Sequence, residues 1–365
     1  MQNNSFISTP VTSTPLKRLQ HGLLAITALL GLIAAPARAE APPPVIRIGI
    51  ASPAVGSPPV YSVGTIGVAR QKGWIDDAFK ASGTKVEWFF FKGAGPAVNE
   101  ALTNKQLDFV FQGDLPSLVG RSAGLKTRLI LPVSVRANIY LAVPPDSTIK
   151  SVADLRGKRV SIFKGTNSQL PINRVLKANN LTERDIRGIN LDTATSQAAL
   201  STKDLDAAFG GYELLKLRDK GVAKIAFTSA GSAQFTRQSA LLVTDEFAAR
   251  YPQATQTLVT TLVKTAQWVS EPANYNDVLN IWALQGTPVA HWKEDFGPDL
   301  KSRHSPLFDA FVVARYKDAV NDAVAFKLAR NKFDVEQWID RRYVDNALKQ
   351  LKLTQYWVPL GADVK

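Results

Sequence analysis

Cysteine is absent from this 365-residue chain. That excludes a disulfide scaffold, a thiolate metal site, an iron–sulfur cluster and a cysteine nucleophile. It also excludes a lipid tether on an N-terminal cysteine. Histidine is nearly as scarce, with only His21, His291 and His304, so a His-rich metal centre is excluded too. Neither a metal nor a cofactor is expected. The chain has none of the G-x-S-x-G, P-loop, G-x-G-x-x-G or H-E-x-x-H patterns. Runs of basic residues stop at pairs such as Arg341-Arg342. The net charge of +13 therefore does not read as a nucleic-acid footprint, though a basic protein suits small anions.

Only one apolar run stands out, Leu23 to Ala35. It follows Lys17 and Arg18 and precedes Pro36 and Ala37-Arg38-Ala39. A positive flank, a short apolar core and an A-x-A site form a secretory signal. The run is too short to span a bilayer comfortably. Residues 1–39 are expected to be removed, and Lys17, Arg18 and Arg38 leave with them, so the charge falls from +13 to +10. An exported, untethered, cysteine-free chain suits a periplasm. Glu40 to Pro44 reads as a Pro-rich lead-in.

Strand and helix patterns then alternate. Val45 to Ile50 reads as a strand, and Ala51 to Pro59, rich in Pro, Gly and Ser, as a loop. A helix over Tyr61 to Lys72 is stopped by Gly73. Lys85 to Phe91 is an apolar strand, expected to be covered on both faces. Helices at Pro96–Lys105 and Leu115–Ala123 flank a strand at Leu107–Gln112. Strands follow at Arg128–Val133 and Ile139–Val143. The order predicts a mainly parallel sheet.

A second unit repeats that order from Ser151, without sequence repetition. Strands are predicted at Lys158–Phe163, Gly188–Leu191, Leu205–Phe209 and Ala223–Phe227. Helices are predicted from Gly165 to Asn179, at Ser196–Leu200 and at Tyr212–Asp219, with Thr182 to Asp185 as an N-terminal cap. Ala240 to Val243 is a last strand. Helical patterns end the chain at Pro252–Val269, Asn274–Ala283, Pro306–Arg330 and Val335–Gln350. They are expected to pack on the first unit.

Two α/β units behind an export signal predict a two-lobed clamshell. Lobe one takes residues 45–140 and 238–365, and lobe two takes 141–237. Ligands of open parallel sheets bind beyond the carboxyl ends of the strands, and hinge closure traps them. The carrying motifs are KGWIDDAF (Lys72–Phe79), VEWFFFKGAGPAVNEAL (Val86–Leu102), LDFVFQGDLPSLVGRSAG (Leu107–Gly124) and SVADLRGKRVSIFKGTNSQ (Ser151–Gln169). Over roughly residues 45–270 the chain resembles the periplasmic binding proteins of sulfonate, taurine and nitrate ABC importers. It is most similar to the alkanesulfonate-binding branch. The resemblance implies a type II periplasmic-binding fold, with lobe one completed by the C-terminal helices. It also implies a monomer that captures a small organic anion, with an aliphatic sulfonate first. Taurine, nitrate and thiamine precursors are alternatives. The implied partner is an inner-membrane ABC permease with its cytosolic ATPase.

The foremost site candidates are Gly165, Thr166, Asn167 and Ser168, where a strand ends and a helix opens. Free N–H groups and the helix dipole favour an anion there, and the first turn carries no acid. An ordinary capped turn would look the same. Gly113, Asp114 and Leu115 end a lobe-one strand, where Asp114 also reads as the N-cap of the next helix. Tyr212, after two glycines, offers a ring and a hydroxyl. Glu213 would repel an anion or hold an amine. Tyr61, with Ser57, Pro58, Val60 and Phe91, could wall an organic tail, or simply pack in the core. Arg136 and Arg237, near the crossovers, could each fork onto an oxyanion. An enzyme on the same fold is the other class. With His291 and His304 both in the helical third, its general base would have to be Asp114, Glu213 or Lys164.

Overall fold

The computed structural model describes residues 41–364; the expected signal segment lies outside them. Ten strands are described: β1 (Val45–Ile50), β2 (Lys85–Phe90), β3 (Phe109–Gly113), β4 (Thr127–Ala137), β5 (Tyr140–Val143), β6 (Arg159–Ser161), β7 (Arg187–Ile189), β8 (Ala207–Gly210), β9 (Lys224–Thr228) and β10 (Arg237–Thr244). They form two five-stranded sheets, ordered β2-β1-β3-β10-β4 and β7-β6-β8-β5-β9. The chain passes from the first sheet to the second between β4 and β5, and returns between β9 and β10. Both sheets are mixed rather than mainly parallel. In each, four strands run one way and a single strand runs against its two neighbours: β10 in the first sheet, β5 in the second. These reversed strands are the ones that receive the chain after each crossover.

The strand at Lys85–Phe91 was expected to be covered on both faces, but β2 is an edge strand. Phe89 is 37% exposed, and Arg70 lies 5.6 Å over Trp88 and 5.2 Å over Phe90 as partial cover. Charged cover on an edge discourages pairing with other chains.

Helices α1 (Gly64–Gln71), α2 (Trp74–Lys80), α3 (Ala94–Thr103) and α4 (Asp114–Ser122) serve the first sheet. Helices α5 (Gln169–Ala178), α6 (Thr193–Ser201) and α7 (Leu215–Asp219) serve the second. The C-terminal third forms α8 (Asp245–Arg250), α9 (Pro252–Ser270), α10 (Tyr275–Ala283), α11 (Val289–Phe296), α12 (Leu300–Arg303), α13 (Ala310–Ala325), α14 (Val335–Trp338) and α15 (Arg342–Gln350).

The pattern-based bounds change where tertiary contacts intervene. The helix expected over 335–350 breaks because Ile339 leaves it to bridge Leu129 of β4, and Asp340 N–H donates to the Leu129 carbonyl at 2.9 Å. The helix expected from Pro306 begins only at Ala310, where Asp309 caps Val312 N–H at 2.9 Å. Thr182 to Asp185 opens no helix. Thr182 donates its N–H and hydroxyl to Asp185, closing a turn that feeds β7.

One core cluster joins the first sheet to α9, α13 and α15, with Leu129, Leu258, Phe311 and Trp338 fully buried. Helix α11 behaves differently from the rest of the C-terminal layer. His291 lies 2.5 Å from Asp219 of α7, and Arg218 forks onto Glu294 at 2.5 and 2.9 Å. Asp295 accepts from Tyr140 of β5 at 2.8 Å, and Trp292 packs on Tyr212 with ring centroids 4.1 Å apart. This helix is therefore bonded to second-sheet elements while Trp282 of α10 packs on its other flank.

Candidate functional site

Two glycines bring the two sheets close together. β3 ends at Gly113, and a Cβ added there would overlap the Cβ of Asn167, with Asn167 Nδ2 at 2.9 Å. Across the same junction a Cβ on Gly165, whose φ is +74°, would lie 2.8 Å from Pro96 Cγ in the first turn of α3. Only glycine permits approach this close. The starts of α3 and α4 from one sheet thus face the start of α5 from the other. Helix starts carry partial positive charge and spare N–H groups.

Some expected donors are already engaged. The N–H of Gly165 donates to Gln169 Oε1 at 2.7 Å, and Gln169 Nε2 in turn donates to Glu183 at 2.7 Å. The buried Thr166 donates its hydroxyl inward to the Phe163 carbonyl at 2.7 Å and accepts from Ser168 N–H at 3.4 Å. Thr166 therefore shapes the turn. The side chains of Asn167 and Ser168 are half-buried and take no part in the hydrogen bonds described, which leaves their donors available.

Asp114 is the first residue of α4 rather than its cap; Gly113 holds the cap position. Asp114 is 1% exposed, and its Oδ1 accepts from Leu115 N–H at 2.8 Å. Leu115, with its N–H used this way, turns its side chain into the core. Burial pushes the Asp114 carboxyl up to about 6, against the opposing pull of the Leu115 N–H and of Arg174 and Arg237. Arg237 donates to the Asn138 carbonyl at 2.7 Å, and its Nε is buried without a partner. Its Nη2 also lies 2.7 Å from where a Cβ on Gly211 would be, with Glu213 Oε2 equally near. Glu213 accepts from Gly211 N–H at 2.8 Å.

Tyr61 and Tyr212, one from each side, are close enough to influence each other. Burial pushes Tyr61 up to about 12, and burial beside Glu213 raises Tyr212 as well. Tyr212 stands on Trp292, and Tyr61 packs on Phe90 at 5.9 Å. Val60 and Phe91 are half-buried, whereas Ser57 and Pro58 are exposed. Arg136 has partners of its own, though its Nε is buried without one. It bonds Ser302, faces Asp299 at 3.9 Å and takes Gln238 Oε1 on its N–H at 3.1 Å. These contacts make it a brace between β4 and α12.

Arg174 was not singled out from the sequence. It is 8% exposed on α5, donates Nε to Asp322 of α13 at 2.7 Å, and keeps Nη2 buried and unpartnered. The available signal was a charge inside the apolar stretch Leu170 to Leu176. Arg174 also lines a cavity of about 490 Å³ with Arg315, Asp318, Asp322 and Asp363. Three carboxylates in that lining, Asp318, Asp322 and Asp363, offset its two arginines. Among the described residues no cluster of His, Asp and Glu could hold a metal ion.

Residues 62–274 match the family described as NMT1/THI5 like. The chain belongs to that family. A Bacillus subtilis protein assigned as an aliphatic sulfonates-binding protein is 24% identical over 84% of this chain and 88% of its own. Among solved structures, a sulfonate-binding periplasmic protein of Methylobacillus flagellatus is 28% identical. It covers 89% of this chain and 100% of its own, with a TM-score of 0.76. The alkanesulfonate-binding protein of Xanthomonas axonopodis pv. citri, solved with MOPS bound, is 24% identical over 82% of this chain and 99% of its own, at a TM-score of 0.70. The fold is that of periplasmic binding proteins. A nitrate-binding protein of Synechocystis at 14% identity and a desulfurization enzyme at 17% share it, with TM-scores of 0.68 and 0.64. Likeness at that level shows the fold alone.

Proposed function

We propose that this protein is the exported solute-binding component of an ABC importer, and that it holds an aliphatic sulfonate between its two sheets. The observation that carries the reading is the meeting of Gly113 with Asn167, which brings helix starts from both sheets to one point. Asn167 and Ser168 offer donors beside that point, and Arg237 offers another on the strand whose Ser239 pairs with Gly113, all suited to a charged oxygen. Tyr61 and Tyr212, backed by Trp292, suit an organic tail better than bare nitrate does. The sulfonate-binding relatives support the same ligand class.

On this reading residues 45–140 and 238–365 form one lobe and 141–237 the other, closing about 137–143 and 237–243. The protein is a periplasmic monomer released by cleavage after Ala39 and handed to an inner-membrane permease with its ATPase. An enzyme is the second reading, because a desulfurization enzyme shares the fold. This chain has no cysteine to serve as nucleophile. Incubation with alkanesulfonates and recovery after denaturation separates the two. Unchanged sulfonate is expected; release of sulfite or sulfate would establish catalysis instead.

A further inference from the structure

We propose that Gln285 is a positioning residue: its amide fixes the loop between β1 and α1 as a wall for the sulfonate's tail, and so sets the preference for chain length. This rests on the reading of the cleft as a sulfonate site.

The loop leaves β1 beside the junction of the two sheets. Ile50 pairs with Phe111 of β3, and Ala51 N–H donates to the Phe111 carbonyl at 2.9 Å, just before β3 reaches Gly113. The loop then carries Pro53, Val55, Pro58, Pro59, Val60 and Tyr61. Val55 and Val60 exchange N–H···O bonds at 2.9 and 2.7 Å, which closes the tip as a small hairpin. Val55 to Pro59 are exposed. Loops serve as binding surfaces where a rigid frame holds them.

Gln285, half-buried just past α10, supplies that hold on both arms of the loop. Its Nε2 donates to the Pro53 carbonyl at 3.1 Å, and its Oε1 accepts from Ser62 N–H at 3.3 Å. A primary amide can do both at once, whereas a carboxylate could not donate. Ser62 is fully buried and adds a hydroxyl bond to the Trp282 carbonyl at 3.2 Å. From α1, Arg70 donates to the Pro59 carbonyl at 2.9 Å and Gln71 to that of Tyr61 at 3.0 Å. Of these three side chains, Gln285 is the one that joins the Pro53 arm to the Ser62 arm. The same frame carries the other tyrosine. Trp282 packs on Trp292 of α11 with ring centroids 5.4 Å apart, and Trp292 packs on Tyr212 at 4.1 Å. Val63, next after Ser62, packs on that aromatic cluster too. Gln285 therefore sets where the loop bearing Tyr61 stands on the frame that bears Tyr212.

Calorimetry with methanesulfonate and 1-butanesulfonate, in a sulfonate-free buffer, separates head from tail. A buried methylene is worth about fourfold in affinity, so the mature wild type should bind butanesulfonate at least roughly tenfold tighter than methanesulfonate. Gln285→Ala should cut that ratio by about fourfold and leave methanesulfonate affinity within about twofold of wild type. Gln285→Met keeps the length of the side chain without either bond; it should behave alike, and it decides should Gln285→Ala fail to fold. Equal losses for both anions would mean that Gln285 supports the fold as a whole, and would overturn the proposal. So would an unchanged ratio in both variants. A wild type that binds the two anions alike overturns it too, and leaves the sulfonate reading intact. Absence of binding of either sulfonate removes that reading and this proposal with it.

Discussion

The Cα of Gly113 sits so close to Asn167 that no side chain fits between them. One residue ends a strand of the first sheet; the other opens a helix of the second. Gly113→Ala should push the two apart, because the obstructing atom is a Cβ and has no rotamer to escape into. Overpacking of this kind costs about 1–3 kcal/mol. Here it should appear mainly as weaker sulfonate binding, by roughly ten- to a hundredfold. Gly188→Ala, with nothing within 4 Å, is the control and should bind normally. Equal affinity in Gly113→Ala would place the ligand elsewhere.

The turn at 165–168 separates a shaping residue from a donating one. Ser168 has a hydroxyl free to donate, and Ser168→Ala should cost about 1–3 kcal/mol of binding if the acceptor is charged. Thr166 is occupied with Phe163. Thr166→Asp should lower sulfonate affinity further by placing a carboxylate at the helix start. Calorimetry on both variants checks this, and unchanged affinity in Thr166→Asp would remove the site assignment.

Much of the fold was legible because its signals are local. Val45 to Ile50 is β-branched and bounded by a Pro-Gly-Ser loop, and β1 follows it residue for residue. Gly165 and Gly113 stood out at strand ends, where glycine has a steric reason to be. Signals that depend on distant partners were hidden. Helix α11 is eight residues long and mixes charge with aromatics; its partners Asp219, Arg218 and Tyr140 are far from it in sequence. Arg174 reads as a surface charge until Asp322, 148 positions away, is seen beside it. Arg136 looked like a ligand fork, yet Ser302 and Asp299 claim it. The mixed character of the sheets likewise follows from two crossovers that no local pattern announces.

Two buried groups should oppose each other in acid. His304 is 1% exposed and donates Nδ1–H to the Val133 carbonyl at 3.1 Å. Burial pulls it from 6.5 down to about 4. A depressed histidine gives stability that is intact above the unfolded value and lost as pH falls through 6.5 toward 4, about 3 kcal/mol in all. Asp114, raised from 3.8 to about 6, has the other sign: its contribution is complete below 3.8 and lost as pH rises through 6, again about 3 kcal/mol. Melting temperatures from pH 7 to 4.5 should therefore fall more steeply in Asp114→Asn and less steeply in His304→Gln. Parallel curves for all three proteins would contradict these environments.

Helix α11 should be held by its aromatic face rather than its ion pairs. Trp292 is fully buried among Tyr212, Trp282 and Phe296, and Trp292→Ala should cost about 3–5 kcal/mol. The Arg218–Glu294 fork is solvent-exposed at 34% and 44%, so Arg218→Ala should cost less than about 1 kcal/mol. Urea unfolding measures both. Equal losses would mean that the ion pairs carry the attachment.

The most direct test of the sulfonate reading is a calorimetric titration of the mature wild type against a panel of alkanesulfonates, taurine and nitrate. The account predicts one site per chain, with an alkanesulfonate bound tightest and nitrate at least about a hundredfold weaker, a gap of roughly 2.8 kcal/mol for the unused tail wall. Nitrate bound as tightly as the best sulfonate, or no sulfonate bound at all, would contradict it.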